Sequence, residues 1–403
     1  MRSLRTLPPA ASVLSILDLL NGFRGIIYSH QSVETFCNSL KDFFSSRHCF
    51  LLSSGKAALA MVFEVLRELH PDRHEVIVPA FNCYSVPSAI FRANLVIRPC
   101  EIDPSTLQFN LESFKSILNN SKRILAVCPT HFYGYPSDID SIRDTLTDER
   151  ITIIEDAAQV MGGEYNGRLF GTGGDVSIFS FSRGKALSAG EGGVILTSRD
   201  DIGKLLDKKY QSITEYTFDS LLKLIFTNLA LFFFINPYLF WIPSKLPFLK
   251  LGETIFDPSF SISRLHSFQA GLLTNWKKRL SNDMNQRNKR CKLYIRLLDG
   301  VKGLSLIRPK HTGFQVASIR FPVFIHNTQL VNMIIKESNN LGLGISRTYP
   351  SSIDSIPQLF IKDKLFPDAM KLSESLITLP CHAFVSVRDI VNIVTIIKKI
   401  LSN

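Results

Sequence analysis

Lys185 lies in the run Phe179-Ser180-Phe181-Ser182-Arg183-Gly184-Lys185, ahead of Gly190-Glu191-Gly192-Gly193, with Glu155-Asp156-Ala157-Ala158-Gln159 thirty residues upstream. A primary amine among small and hydroxyl residues, with a carboxylate closing an apolar strand nearby, has the parts that a Schiff base to pyridoxal 5'-phosphate requires. Asp156 follows the run Ile151-Thr152-Ile153-Ile154-Glu155, and in α/β sheets ligands gather at the carboxyl ends of strands. Placed against a pyridine nitrogen, its carboxylate keeps that nitrogen protonated, and the ring becomes an electron sink. Gln159 is spaced to hydrogen-bond a ring oxygen, and Ser180 to donate to a phosphate. Ser53-Ser54-Gly55-Lys56-Ala57-Ala58-Leu59 follows a strand-like stretch and opens a helix. The free amides at that helix end can hold a phosphate. Singly, each residue has a plainer reading: a serine cap, a surface lysine, a structural glutamine.

The bulk numbers restrict the setting. A chain of 403 residues can bury a large core and suits two domains better than one. The net charge of +11 makes the surface attractive to anions, whether phosphorylated metabolites, nucleic acid or an acidic membrane face. Seven cysteines lack any CxxC spacing and are odd in number, which argues against a zinc site and a disulfide framework and suits a reducing cytoplasm. The basic start Met1-Arg2-Ser3-Leu4-Arg5 precedes a stretch broken by Pro8, Pro9 and Asp18, so no signal peptide is expected.

The elements that must position these groups read as follows. Short apolar runs at 75–79, 96–101, 123–128, 151–155, 176–181 and 193–197 alternate with helical stretches, the pattern of a mainly parallel α/β sheet. A long helix is expected from Ser263 through Trp276 to Leu298, rich in basic residues. A smaller α/β unit closes the chain, with strands at 317–324 and 375–379 and helices at 329–340 and 387–401. The spacing therefore predicts a large domain over 1–260 and a small one over 261–403.

The stretch 220–249 is unlike the rest, running through Leu221-Leu222-Lys223-Leu224-Ile225-Phe226 to Leu231-Phe232-Phe233-Phe234-Ile235 and Tyr238-Leu239-Phe240-Trp241-Ile242. Its unbroken apolar core falls short of the roughly 20 residues that cross a bilayer. Two readings stand. One is a buried helical pair or a subunit contact. The other is a helix lying in a membrane interface, with Tyr238 and Trp241 near the headgroups and Lys223, Lys245 and Lys250 toward anionic lipid.

Taken in order along the chain, these segments resemble the DegT/StrS family of pyridoxal-phosphate-dependent sugar aminotransferases, within the aspartate-aminotransferase fold. The matching stretches are Ser54-Gly55-Lys56-Ala57-Ala58-Leu59, Glu75-Val76-Ile77-Val78-Pro79-Ala80-Phe81, Ile102-Asp103-Pro104 and His131-Phe132-Tyr133-Gly134-Tyr135-Pro136. Further on come Glu155-Asp156-Ala157-Ala158-Gln159, Phe179 to Lys185, Gly190-Glu191-Gly192-Gly193, Gln269-Ala270 and Thr378-Leu379-Pro380. The resemblance implies a fold-type-I transferase, acting as a homodimer, that aminates a keto sugar using an amino-acid donor such as glutamate. The product would serve polysaccharide, lipopolysaccharide or other glycan synthesis, from a nucleotide-linked or a lipid-linked sugar.

By the same resemblance Lys185 carries the covalent bond to the cofactor, Asp156 pairs with the ring nitrogen and Gln159 contacts the ring. Ser180, with Ser54, Gly55 and Lys56, holds the phosphate. Relatives that dehydrate sugars have histidine in place of this lysine, so Lys185 favours amination. The family has threonine or serine where Lys56 stands, and its aromatic stacking position falls on Cys83, beside Tyr84. A phosphate-binding asparagine of the neighbouring subunit aligns with Ile262. Gly344-Ile345-Ser346-Arg347-Thr348-Tyr349-Pro350 matches the substrate-side loop, which makes Arg347 and Tyr349 substrate candidates, Arg347 for a diphosphate or the donor carboxylate. His131 and His266 read as packing residues for want of an identifiable carboxylate partner. The alternatives are a same-fold enzyme with other chemistry, such as a sugar dehydratase or an amino-acid transaminase, and a non-catalytic protein that binds the cofactor for sensing or assembly.

Overall fold

The computed structural model describes residues 5–214, 216–246, 252–308, 314–315, 318–361 and 366–402. Nine strands arise in the first half of the chain: β1 (His48–Leu52), β2 (Glu75–Pro79), β3 (Val96–Cys100), β4 (Ile124–Val127), β5 (Thr152–Asp156), β6 (Glu164–Tyr165), β7 (Arg168–Leu169), β8 (Val176–Ser180) and β9 (Gly193–Thr197). Seven of them form one sheet in the order β1-β9-β8-β5-β4-β2-β3. β3, β2, β4, β5 and β8 run parallel, and β9 pairs antiparallel with both β8 and β1. Every residue of β2, β4, β5, β8 and β9 is buried, as expected where helices cover both faces of a parallel sheet. The mainly parallel α/β sheet predicted from the apolar runs is therefore what forms.

The helix Gly55–Leu69 covers one face, with ten buried residues along an alanine-rich segment that loses little side-chain entropy on folding. On the other face, Phe36, Leu40 and Phe44 pack with Phe179, Phe181, Phe268 and Trp276. The first helix, Ile16–Ile27, lies close against Ser267–Leu272: a Cβ on Gly25 would sit 2.4 Å from the Ser267 carbonyl oxygen, and one on Gly271 2.2 Å from that of Asn21. Only glycine permits that approach.

The C-terminal unit builds a second sheet from β10 (Leu304–Leu306), β12 (Phe321–Ile325) and β13 (Leu376–Leu379), while β11 (Phe314–Gln315) joins β6 and β7 in a third. Its closing helix Val387–Leu401 starts at a Ser386/Asp389 capping box and ends on Lys398 and Lys399, which favour the negative helix end. The strand expected over 317–324 is found at Phe321–Ile325, and Ala317 lies outside the described residues.

The single helix expected from Ser263 to Leu298 is instead two, Ser267–Leu272 and Trp276–Leu298. Leu273 closes the first, and Trp276 turns its ring into the large core, donating from Nε1 to Ser39 Oγ at 3.0 Å. The cores do not part at residue 260 either. Trp276 and Leu280 belong to the large core, whereas Cys291, Tyr294 and Leu298 of the same helix belong to the small one. Leu7 also packs into the small core, and Arg5 pairs with Asp389 at 2.6 Å. We therefore propose two packing units joined through the helix Trp276–Leu298, with Arg5 and Leu7 going with the second unit.

The apolar stretch forms a helix, Phe218–Phe234, capped by Thr217, and a short turn, Trp241–Ser244. Leu221, Leu224, Ile225, Leu229 and Phe232 face the large core, and buried Asn228 donates to the carbonyls of Ala189 and Leu224. The opposite face is apolar too: Phe218 (71% exposed), Leu222 (49%), Phe226 (73%) and Phe233 (56%) point outward. A buried helical pair does not describe it within one chain. No helix among the described residues is long and apolar enough to cross a membrane. Lys250 lies outside the described residues.

Candidate active site

The chemistry-bearing side chains converge beyond the carboxyl ends of the parallel strands, where the backbone leaves the sheet and side chains can reach a ligand. Asp156 is the last residue of β5, Ser180 the last of β8, Cys83 and Tyr84 follow β2, and Thr130 to Tyr133 follow β4. Tyr133 holds φ at 53° ahead of Gly134 at 95°. A left-handed tyrosine is costly, and such strain concentrates at functional turns.

Asp156 is buried, accepting a hydrogen bond from the Ala158 amide at 3.2 Å and one from Thr130 Oγ1 at 3.5 Å. Burial raises its pKa, and Lys185 leads the groups that oppose the rise. Among the described residues no cation approaches it within ion-pairing distance. A buried carboxylate in that state is matched by a cationic N–H, which a protonated pyridine would provide. For Lys185 burial acts the other way: it lowers the pKa, Cys83 and Asp156 oppose it, and Arg320 adds to it. The amine is thus shifted toward its neutral form, the one that attacks a carbonyl.

His131 and Glu155 support this pair from behind. The Ser137 amide donates to His131 Nδ1 at 2.9 Å, so Nε2 carries the hydrogen and donates to Glu155 Oε2 at 2.9 Å. Glu155 also accepts from the amides of Gly171, Gly173 and Gly174. Burial alone would raise its pKa, yet the His131 contact and these amides outweigh burial and hold it below the ordinary value. The expectation that His131 has no carboxylate partner is corrected: the partner sits 24 residues away in sequence, on the neighbouring parallel strand. His266 acts as a cap, its Nδ1 accepting from the Phe268 amide.

Gln159 is fixed at both ends, its Oε1 accepting from the Tyr133 amide at 3.2 Å and its Nε2 donating to the Tyr349 hydroxyl at 3.0 Å. Tyr349 stands edge-on to Phe81, with centroids 4.9 Å apart. Two candidates read from distant parts of the sequence are thereby in direct contact. Arg347 does not join them; its guanidinium donates to the Glu374 carbonyl at 3.2 Å. The guanidinium whose charge reaches Lys185, Tyr133 and Tyr349 is that of Arg320.

The phosphate end is a cradle. The helix Gly55–Leu69 begins against β8, where a Cβ on Gly55 would lie 3.1 Å from Ser180 Cβ and 3.3 Å from its Oγ. Ser180 Oγ donates to Ser182 Oγ at 3.0 Å and accepts from the Ser182 amide at 3.3 Å. Ser54 spends its hydroxyl on the cap, accepting from the Ala57 amide at 3.1 Å. The Lys56 ammonium is turned to Asp257 at 2.9 Å and lies over the Phe260 ring, which leaves the amides of Gly55 and Lys56 for a phosphate. Tyr84 points its hydroxyl to Ser351 Oγ at 2.6 Å. Arg183 is exposed and Ile262 packs against the large core.

Thr130, Tyr133 and Arg320 join the site without having been singled out for it. Arg320 alone carried a signal, a lone cation within the apolar run Ile319-Arg320-Phe321. The donor set fits pyridoxal phosphate: a buried anion for the ring nitrogen, an amide for its oxygen, a desolvated amine and a hydroxyl-lined helix start.

Comparison with known proteins gives a consistent result. The model of the DegT/DnrJ/EryC1/StrS aminotransferase family matches residues 19–219 and 256–398, leaving 220–255 unmatched. The GDP-perosamine synthase of Vibrio cholerae is 34% identical over 182 residues, 45% of this chain and 48% of that protein. The L-glutamine:2-deoxy-scyllo-inosose aminotransferase of Micromonospora echinospora is 31% identical over 195 residues, 47% of this chain and 46% of that protein. The matches thus span about half the length of these curated relatives. Among solved structures, PseC of Helicobacter pylori, an aminotransferase of pseudoaminic acid biosynthesis, superposes with a TM-score of 0.79 at 16% identity, covering 99% of this chain and all (100%) of that one. Spr1654 of Streptococcus pneumoniae in its PLP form gives 0.77 at 16% identity, covering 98% and 99%. At these identities the structures establish the fold, which is the fold-type-I architecture.

Proposed function

The chain belongs to the DegT/DnrJ/EryC1/StrS aminotransferase family, and on that premise we propose that it transfers an amino group from an amino acid such as glutamate to a keto sugar carried on a nucleotide. The observation that carries this reading is that Asp156, at the carboxyl end of β5, and Lys185, five residues beyond β8, bear on each other's charge. The relatives named for GDP-perosamine and pseudoaminic acid support a glycan-building role, and the net charge of +11 suits a diphosphate-bearing substrate.

The residues divide the work. Asp156 would hold the pyridine nitrogen protonated, and Gln159, locked by Tyr133 and Tyr349, would hold the ring oxygen. Ser180 and the amides of Gly55 and Lys56 would hold the phosphate. When bound, the cofactor supplies a ring that accepts negative charge from the substrate carbon losing its proton. Lys185, desolvated and shifted toward the neutral amine, is the base that takes that proton and later returns it. Tyr349 and its aromatic neighbours Phe81 and Phe132 wall the site against water.

Adding L-glutamate to the cofactor-loaded protein is expected to convert its visible absorbance within one turnover and release 2-oxoglutarate. A nucleotide-linked keto sugar should then restore the band. No spectral change with any amino acid would reject the reading in favour of a protein that only binds the cofactor.

We further propose a homodimer that contacts the inner, anionic face of a membrane. The exposed Ile16, Leu17, Leu20 and Ile27 of the first helix give a second copy an apolar face. Leu222, Phe226 and Phe233 of the outward stripe lie outside the family match, and the stripe is followed by Tyr238, Trp241 and Lys245, which favours lipid as its cover. Sedimentation of the full chain should give a dimer alone and co-sedimentation with phosphatidylglycerol vesicles. Phe226→Asp should weaken vesicle binding about 10- to 100-fold; a wild-type dimer that ignores the vesicles removes the membrane proposal, and a monomer removes the dimer.

A further inference from the structure

The segment that carries Lys185 leaves β8 and folds back on it. Phe181 donates its amide to the Gly192 carbonyl at 2.8 Å and accepts the Ala189 amide at 2.9 Å, so the chain departs and returns at one residue. The outgoing limb turns at Ser182, whose carbonyl accepts the Lys185 amide at 3.2 Å, and Arg183 on it is exposed. The return limb, Ala186 to Ala189, is buried. Its end is gripped by Asn228 of the helix Phe218–Phe234. The side-chain amide donates to the Ala189 carbonyl at 3.1 Å and to the Leu224 carbonyl of its own helix at 2.9 Å. Gly190 permits that approach, since a Cβ there would lie 2.7 Å from Asn228 Nδ2. Asn228 is wholly enclosed, on an inner face otherwise made of Leu221, Leu224, Ile225, Leu229 and Phe232. Its Oδ1 has no hydrogen-bond partner among the described residues. An enclosed amide with an unmet acceptor is costly, and an apolar side chain would avoid the cost. What the amide provides in return is its hold on Ala189.

Resting on the aminotransferase reading, we propose that Asn228 is a positioning residue for Lys185, anchoring the return limb of its loop so that the amine meets the cofactor at one fixed place. The Ala189 carbonyl is enclosed and cannot turn to water. Without Asn228 it must find another donor, and the limb that starts at Lys185 shifts with it. Ala186, Leu187 and Ser188 lie between the two residues and are buried, and Ala186, Leu187 and Ala189 pack in the same core as Leu224. A close-packed limb passes a displacement along instead of absorbing it. An amine that must attack a carbonyl, and later move a proton at the same carbon, is sensitive to such a displacement. The loop's other anchors act beyond this point: Gln269 Nε2 donates to the Glu191 carbonyl and the Tyr216 hydroxyl to the Glu191 carboxylate, both at 2.8 Å. Gly190, at φ 81°, separates those anchors from Ala189. All but the first two residues of the Asn228 helix lie outside the family match, so the added helix serves the reacting centre through its inner face as well as the surface through its outer one.

Attachment and turnover can be read apart. Pyridoxal 5'-phosphate added to the apoprotein should become borohydride-fixable about 10- to 100-fold more slowly in Asn228→Ala than in wild type, with amide exchange quickened from Ala186 to Gly190. In the loaded protein kcat with L-glutamate should fall by a similar factor, while KM stays within about threefold of wild type. Asn228→Asp, which donates only one hydrogen bond and only while protonated, should fall between the two. Phe232→Ala, one turn along the same inner face, is the stability control. It should melt as low as Asn228→Ala or lower, yet attach cofactor and turn over within about threefold of wild type. An Asn228→Ala protein that melts lower but attaches cofactor at the wild-type rate overturns the proposal, as does an equal loss in Phe232→Ala. Slowed attachment in Asn228→Ala, beside a wild type that links cofactor through Lys185 but reacts with no amino acid, upholds the positioning role and rejects the aminotransferase reading instead.

Discussion

Lys185→Ala is expected to abolish amino transfer, with a loss of about 10⁴-fold or more, and to remove the borohydride-fixable link between cofactor and chain. The reason lies in the surroundings of the amine. Burial lowers its pKa, with Cys83 and Asp156 opposing and Arg320 assisting, so the site holds a nucleophilic base where water cannot substitute for it. The fold should not suffer. A lysine whose pKa is lowered on folding costs stability at low pH, and that cost fades as pH rises through the folded value toward the unfolded one. The apoprotein's melting temperature should therefore climb with pH over that window in the wild type, and the climb should flatten in Lys185→Ala. Reduction with borohydride, peptide mapping and melting curves check the three statements; a label on another residue removes the assignment of Lys185.

Asp156→Asn should keep the cofactor bound but reduce turnover about 10²- to 10³-fold. Asparagine preserves the shape and can still accept from the Ala158 amide, yet it carries no negative charge to hold a ring nitrogen protonated. Burial already disfavours the Asp156 carboxylate, with Lys185 the leading counterweight, so the neutral amide should melt no lower than wild type in the apoprotein. Absorbance titration with cofactor and steady-state assay separate binding from turnover. An Asp156→Asn protein as active as wild type would show that the carboxylate does not govern the ring.

The two predictions differ in how visible their causes were beforehand. Both residues were legible because each ends or follows a strand of a kind that composition and spacing declare: Ile151 to Asp156 is apolar and β-branched, Val176 to Ser180 likewise, and their parallel pairing is common to the α/β class. The phosphate cradle was legible for a similar reason, since a serine cap before Gly55 and an alanine-rich helix is a local signal. Side-chain direction was not local. Lys56 reads as a phosphate ligand until Asp257, two hundred residues on, takes its ammonium. His131 reads as packing until β4 and β5 lie side by side and bring Glu155 within 2.9 Å. Tyr84 reads as a ring neighbour until Ser351 takes its hydroxyl.

From its residues alone, the chain determined a mainly parallel sheet, a lysine and an aspartate at the strand ends, a helix start fit for phosphate and membership of one family, because these rest on periodicity and short-range motifs. Only the tertiary structure decided which hydroxyl anchors Gln159, and that the helix Phe218–Phe234 turns a phenylalanine stripe outward. Those outcomes depend on contacts between segments far apart in the chain, where a side chain's partner is set by how strands and helices stack and not by its neighbours in sequence.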